Sequence, residues 1–286
     1  MIASFASAWR RPWKSPSALP GFAPTLIYTL IYLSIIVLIP LVALFSRAAN
    51  LGVSGIVATA LEPRVFAALR VTFVTSITAA LVDVVFGVIV AWTLTRYRFP
   101  GRRWLDAAVD LPFALPTAVA GIALSALYAP HGWFGAPLAV LGIKIAYTQS
   151  GILVALIFVG FPFVVRTLEP IIGELEVELE EASATLGASR LQTLRRVLLP
   201  QLVPAILTGA ALAFARGVGE YGSVIFIGGN LAYVSEIAPL MIVFKLEEYN
   251  YDGATAVAAI MLVISFVMLF VINSTQAWSR RRIGLV

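Results

Sequence analysis

The sequence contains no cysteine and only one histidine, His131. Disulfides, thiolate metal sites and cysteine nucleophiles are therefore excluded, and so is a histidine-based metal cluster. Charge is scarce too: 12% of the residues are charged, where a globular domain carries about 25%. Lysine is confined to Lys14, Lys144 and Lys245, none in a glycine-rich loop, and no G-x-x-x-x-G-K-[ST] run occurs. The chain cannot cradle a nucleotide triphosphate by that route. No catalytic residue, metal ligand or cofactor is assigned to it, and a membrane-embedded enzyme has little polar material to work with.

Apolar residues make up 60% of the 286-residue chain, more than a soluble core of this size can hide and what a bilayer can solvate. A spanning helix needs about 20 mostly apolar residues. Six stretches qualify: Phe22–Phe45 with a kink expected at Pro40, Val71–Thr95 interrupted by Asp83, Leu111–Tyr128, Ile145–Val165, Gln201–Ile227 and Ala254–Ile272. The expected fold class is an all-α membrane protein of about six transmembrane helices. Alternate connecting segments hold fourteen of the twenty basic residues: Arg10, Arg11, Lys14; Arg96, Arg98, Arg102, Arg103; Arg166, Arg190, Arg195, Arg196; and Arg280, Arg281, Arg282. The opposite segments hold Arg47, Arg64, Arg70, Lys144 and Lys245, while Arg216 lies inside a span. By the positive-inside rule both termini are cytoplasmic, and the net charge of +5 needs no nucleic-acid partner. The basic start before an apolar run imitates a signal peptide, but the run is too long for an h-region and lacks a clear small-residue cleavage site, so the first span is expected to remain as an anchor.

One hydrophilic stretch, Arg166 to Pro200, is longer than a connection in a compact bundle usually is. Its first part, Glu174 to Glu181, alternates polar and apolar residues like a strand; from Leu179 the spacing of Leu179, Ala182 and Leu186 is helical. Gly187 stands where a left-handed residue ends a helix. Ser189 and Gln192 form a capping-box pattern opening a second helix, with Leu191, Leu194 and Leu198 on one face, and Pro200 marks a break before the fifth span. A solvated surface loop, a DNA-binding helix-turn-helix and a helix presented to a partner's groove all fit this pattern.

Glu181-Ala182-Ser183, Gly187, Val197 and Leu199-Pro200 resemble the EAA motif of ABC-importer permeases, with Ser183 in place of the second alanine and Val197 in place of isoleucine. The segments 95–101, 110–121, 163–167 and 219–230 extend the resemblance over nearly the whole chain, to the T-type permeases of sulfate/thiosulfate importers, with molybdate permeases as nearest relatives. The resemblance implies a type I ABC importer permease fold (MetI-like), with residues 1–21 a cytoplasmic N-terminal segment and 22–286 the transmembrane permease domain. It makes 166–200 the coupling loop that inserts into an ATPase, with Glu181 and Gly187 as its cap and turn. Also implied are a W-type second permease, two copies of an ABC ATPase carrying ATP-Mg, a periplasmic or tethered sulfate-binding protein, and a bacterial inner-membrane location.

Within the spans, Asp83 would cost about 2.5–3.5 kcal/mol at mid-helix and is expected to have a structural partner. Arg216 and Glu220 stand four apart, either as an ion pair holding the fifth span or as an anion-attracting group with its moderator. Pro112 and Pro116 remove backbone donors in the third span and, with Thr117, are candidates for a kinked wall of the translocation pathway. A secondary anion carrier would need internal repeats, and none is evident.

Overall fold

A computed structural model describes residues 22–283. The N-terminal segment 1–21, with Arg10, Arg11 and Lys14, lies outside the described residues, as do the side chains of Arg280, Arg281 and Arg282. Every regular element among the described residues is helical. The chain divides into two units, 1–47 and 48–286. The first consists, in its described part, of most of helix α1 (Pro24–Ala49), most of whose large apolar side chains are exposed. Pro40 does not kink α1 abruptly. A π turn at Ser34–Leu38 precedes it and the helix resumes at Ile39. The wider turn accommodates a residue that cannot donate to the turn before it.

The second unit is built on α2 (Gly52–Leu61), α3 (Pro63–Arg96), α4 (Arg102–Ala114), α5 (Thr117–Tyr128), α6 (Gly135–Val140), α7 (Gln149–Gly173), α8 (Val177–Thr185), α9 (Arg190–Val218), α10 (Val224–Ile227), α11 (Ala238–Glu247) and α12 (Tyr251–Ile283). The three long helices α3, α7 and α9 pack on one another, and α12 packs on α9 and α11. Leu94, Val164, Val165, Leu168, Ile172 and Leu202 fill the centre and are fully buried. Small residues bring the backbones together: a Cβ at Gly209 of α9 would lie 3.0 Å from the Cα of Val164 in α7. In lipid, where apolar surface gains nothing from leaving its solvent, such close van der Waals packing supplies the association.

Among the described residues, five helices are long and apolar enough to cross a membrane, and a sixth span is counted if α4 and α5 together make one. The expected helix at Leu111–Tyr128 is in fact two, bent by 115° at Leu115-Pro116. Both of those residues are extended, with ψ of 134° and 135°, and at Leu115 the cause is the following proline, which pushes the residue before it out of the helical region. Two further expectations are corrected. The fifth span ends at Val218, well before Ile227, and the chain turns through 219–222 into α10. Pro200 breaks nothing: a π turn at Leu194–Leu198 precedes it and the helix runs on continuously from Arg190. Both π turns end two residues before a proline, so the same local device absorbs Pro40 and Pro200.

Candidate functional site

The strand-like alternation of Glu174 to Glu181 is overridden, and α8 begins at Val177 after Glu176 as N-cap. Glutamate, leucine and alanine are good helix formers, and no neighbouring strand is present among the described residues to pair with this segment. The turn matches the sequence pattern. Gly187 has φ +78°. Its N–H donates to Ala184 O at 2.9 Å and that of Ala188 to Ser183 O at 3.0 Å, the double closure of a Schellman motif. The capping box also forms: Gln192 Oε1 accepts from Ser189 N–H at 2.8 Å, and Gln192 N–H donates to Ser189 Oγ at 3.4 Å. Ser183, the departure from the alanine of the motif, has a use here. Its hydroxyl donates to Glu180 O at 2.8 Å and lies 2.7 Å from Thr193 Oγ1, joining the two limbs of the turn.

This turn is tied to α3. Arg96 pairs with Glu180 at 3.1 Å, donates to Leu175 O at 3.1 Å, and lies over the Trp92 ring. Its outer face is apolar: Leu186 is 87% exposed and Leu191 61%, with Ala182 and Leu194 exposed beside them, whereas Leu198 turns inward. Glu181 is exposed in the middle of α8, so it is not the cap the resemblance implied. Val197 and Pro200 are partly buried and Leu199 is exposed at the root of α9.

The second cluster sits where α9 ends. Arg216 pairs with Glu220 at 2.5 Å, but Glu220 lies beyond the helix, in the turn. Glu220 is buried, its side chain 1% exposed, and its Oε1 accepts from both the N–H and the hydroxyl of Ser223 at 2.8 Å. Arg216 keeps 32% of its side chain exposed. The pair therefore ties the helix end to the turn and leaves the guanidinium one open side. The start of α5 presses on this turn. A Cβ at Gly121 would come within 2.4 Å of Ser223 O, and one at Gly222 within 2.2 Å of Thr117 Oγ1. Ser125 Oγ donates to Phe226 O at 3.0 Å. The structure thus brings Arg216, Glu220 and Thr117 together, with Pro116 as the N-cap of α5. Pro112 is not part of the cluster; it lies inside α4 and lines an apolar groove with Leu105, Val109, Tyr128 and Phe161.

Asp83 corrects an expectation. It is 1% exposed, and neither carboxylate oxygen has a hydrogen-bond partner among the described residues. A Cβ on Gly160 of α7 would lie 2.3 Å from its Oδ2, so the carboxyl is packed against backbone where a partner side chain was expected.

Three ion-pair groups escaped sequence reasoning. Arg166 of α7 commits all five of its N–H donors: to both oxygens of Asp110 at 2.8 and 2.7 Å, to Asp106 Oδ1 at 2.7 Å, to Asp106 O at 3.0 Å, and to Glu169 at 2.6 Å. The spacing of Asp106 from Asp110 on a helix was a usable signal. Arg64 binds Glu236 through two bonds of 2.9 and 2.5 Å and lies over Phe244, and Lys245 meets Glu62 at 2.8 Å. No local pattern announces pairs so distant along the chain. Arg64 and Lys245 gather at the start of α3 and Arg96 at its end.

Comparison with known proteins gives three kinds of match. Residues 83–285 match the family model of the binding-protein-dependent transport system inner membrane component. The sulfate transport system permease protein CysT of Synechococcus elongatus is 50% identical over 252 residues, 88% of this chain and 91% of that protein. The probable sulfate transport system permease protein cysT of Nephroselmis olivacea is 49% identical over 247 residues, 86% and 87% of the two chains. Among solved structures, a chain of a bacterial alginate ABC transporter in complex with its alginate-bound periplasmic protein superposes with TM-score 0.72 at 20% identity, covering 91% of this chain and 94% of that one. A chain of the MetNI methionine ABC transporter, in an inward-facing conformation, gives 0.55 at 20% identity, covering 76% and 98%.

Proposed function

The chain belongs to the family of binding-protein-dependent transport system inner membrane components, a multi-pass membrane protein with the type I importer permease fold, and on that premise we propose that it is the T-type permease of an ATP-driven sulfate/thiosulfate importer. It forms half of the translocation pathway. A W-type permease supplies the other half, two ATPase copies carrying ATP-Mg dock on the cytoplasmic side, and a periplasmic or tethered sulfate-binding protein delivers the anion. Both termini are cytoplasmic, in a bacterial inner membrane.

The observation that carries this reading is the rigid turn of α8 and the start of α9. It presents Leu186 and Leu191 outward, is locked by Gly187 and by the Ser183–Thr193 contact, and is braced to α3 through Arg96. A helix set on a stiff brace can convey movement of a partner's groove into the bundle. Near 50% identity to CysT proteins over most of both chains supports sulfate as the cargo.

At the other cluster, the open side of Arg216 attracts the dianion while Glu220 keeps its hold weak, because conduction needs a site the anion can leave. Thr117 and Pro116 form the adjoining wall at the start of α5.

The deciding measurement is uptake of labelled sulfate into vesicles holding the assembled transporter. Uptake that needs internal ATP and both partner subunits supports the assignment, as does competition by thiosulfate. Uptake driven by an ion gradient without ATP overturns it in favour of a secondary carrier, and competition by molybdate far stronger than by thiosulfate moves the cargo to that oxyanion. In the same vesicles Arg216→Gln should lower uptake at least tenfold while the ATPase still co-purifies; normal uptake in this variant would remove Arg216 from the pathway.

A further inference from the structure

The connection from α3 to α4 and the first turn of α4 carry three arginines, Arg98, Arg102 and Arg103, that the coupling loop and the Arg216 cluster leave unused. With Phe99, Gly101 and Trp104 they line one concavity. All three guanidinium groups are exposed, and none makes a hydrogen bond or ion pair within the described residues, in contrast to Arg96 and Arg166 on either side. The one acidic residue on the rim, Asp106, already accepts from Arg166. Among the described residues, the concavity is thus a cluster of three arginines with no bonded counter-charge.

A second observation concerns α4 itself. Trp104, Ala108 and Leu111 recur at four- and three-residue spacing, lie on one side of the helix and are all exposed, Trp104 by 82%. The opposite side is the bonded one: Phe113 meets Phe163 edge-on with ring centroids 5.1 Å apart, and Asp106 and Asp110 hold Arg166. An apolar exposed stripe beginning at a tryptophan, directly behind a cluster of arginines, is the pattern of a helix resting in a membrane surface.

We propose that this concavity binds the phosphate headgroup of an anionic phospholipid, with the stripe from Trp104 to Leu111 seated in the upper acyl region of the same leaflet. The phosphate faces Arg98, Arg102 and Arg103, and Trp104 stands at the boundary between headgroup and chain. A free phosphate or sulfate ion would satisfy the arginines equally but leave the apolar stripe without cover, and for that reason the lipid is favoured. The site does not depend on which anion is transported.

The test uses the assembled transporter in nanodiscs containing phosphatidylglycerol or phosphatidylcholine brominated near the glycerol end of the acyl chain. The quenched tryptophan signal lost on Trp104→Phe isolates the contribution of Trp104. Phosphatidylglycerol is expected to quench that contribution well beyond phosphatidylcholine at equal bromine content. Each of Arg98→Gln, Arg102→Gln and Arg103→Gln should lower the preference by about fivefold, the factor that corresponds to one basic group at an anionic surface. Equal quenching by the two lipids, or quenching by neither, overturns the proposal; the latter means that Trp104 faces protein. Loss of the preference on adding inorganic phosphate, but not chloride of matched ionic strength, overturns it in favour of a soluble oxyanion site.

Discussion

Replacing Gly187 with valine separates the turn from everything else in the molecule. An ideal Cβ at this position meets nothing within 4 Å, so no clash arises and the whole cost is conformational. At φ +78° an L-residue is strained by about 1–2 kcal/mol, and a β-branched one more, since both substituents on its Cβ crowd the backbone. One to two kcal/mol is a factor of roughly 5–30 in the population of the native turn. What is lost is the double closure onto Ser183 and Ala184, and with it the direction in which Leu191 is presented relative to Leu186. The spans are untouched, so the variant should insert normally. Apparent affinity for the ATPase, measured by co-purification across a titration, should fall by that same factor of roughly 5–30, and ATP-driven uptake in vesicles should fall with it. Gly187→Asn should recover much of the loss, because asparagine tolerates the left-handed region. If Gly187→Val binds the ATPase and imports as the parent does, the turn is not the coupling element and the main structural support for the functional assignment is gone.

Gly121→Ala should be costly for the opposite reason. Its Cβ would stand 2.4 Å from Ser223 O and 2.7 Å from Ser223 Cα, backbone atoms that cannot rotate away. A loss of about 1–3 kcal/mol is expected as a lower melting midpoint of the purified complex, and an unchanged midpoint would mean that α5 and the 219–223 turn are not in tight contact. Asp83→Asn keeps the shape and removes an acid that has no hydrogen-bond partner among the described residues, so the midpoint should hold or rise. A fall of about 5 °C or more, the mark of more than 1 kcal/mol in a chain of this size, would reveal a partner for the carboxyl.

The parts legible in advance are those that depend on neighbours in sequence. The Gly187 turn, the capping box at Ser189 and the apolar runs each follow from the local backbone preferences and hydropathy of a few consecutive residues. Proline was legible as a disturbance, though its outcome was not. Pro116 bends the chain by 115°, while Pro40 and Pro200 are absorbed by π turns with the helix running on. The difference lies in what surrounds the proline, because a broken helix is stable only where packing or side chains satisfy the freed carbonyls. Start and end points of the spans were blurred for a related reason: hydropathy measures what lipid accepts, whereas a helix ends where its backbone bonds do.

Composition and spacing by themselves determined that this chain lives in a bilayer, that it has no cysteine and no P-loop run, and that one hydrophilic stretch forms a helical turn. Tertiary structure alone decided which charges remote in sequence meet. Arg166 gathers Asp106 and Asp110 from another helix, Arg64 finds Glu236, and Glu220 leaves the helix to hold Ser223, while Asp83 is left with backbone for company. Ion pairs between remote residues depend on the relative rotation and depth of whole helices. Those are set by small-residue packing along their full lengths, and the sequence near either partner carries at most a spacing, such as that of Asp106 from Asp110.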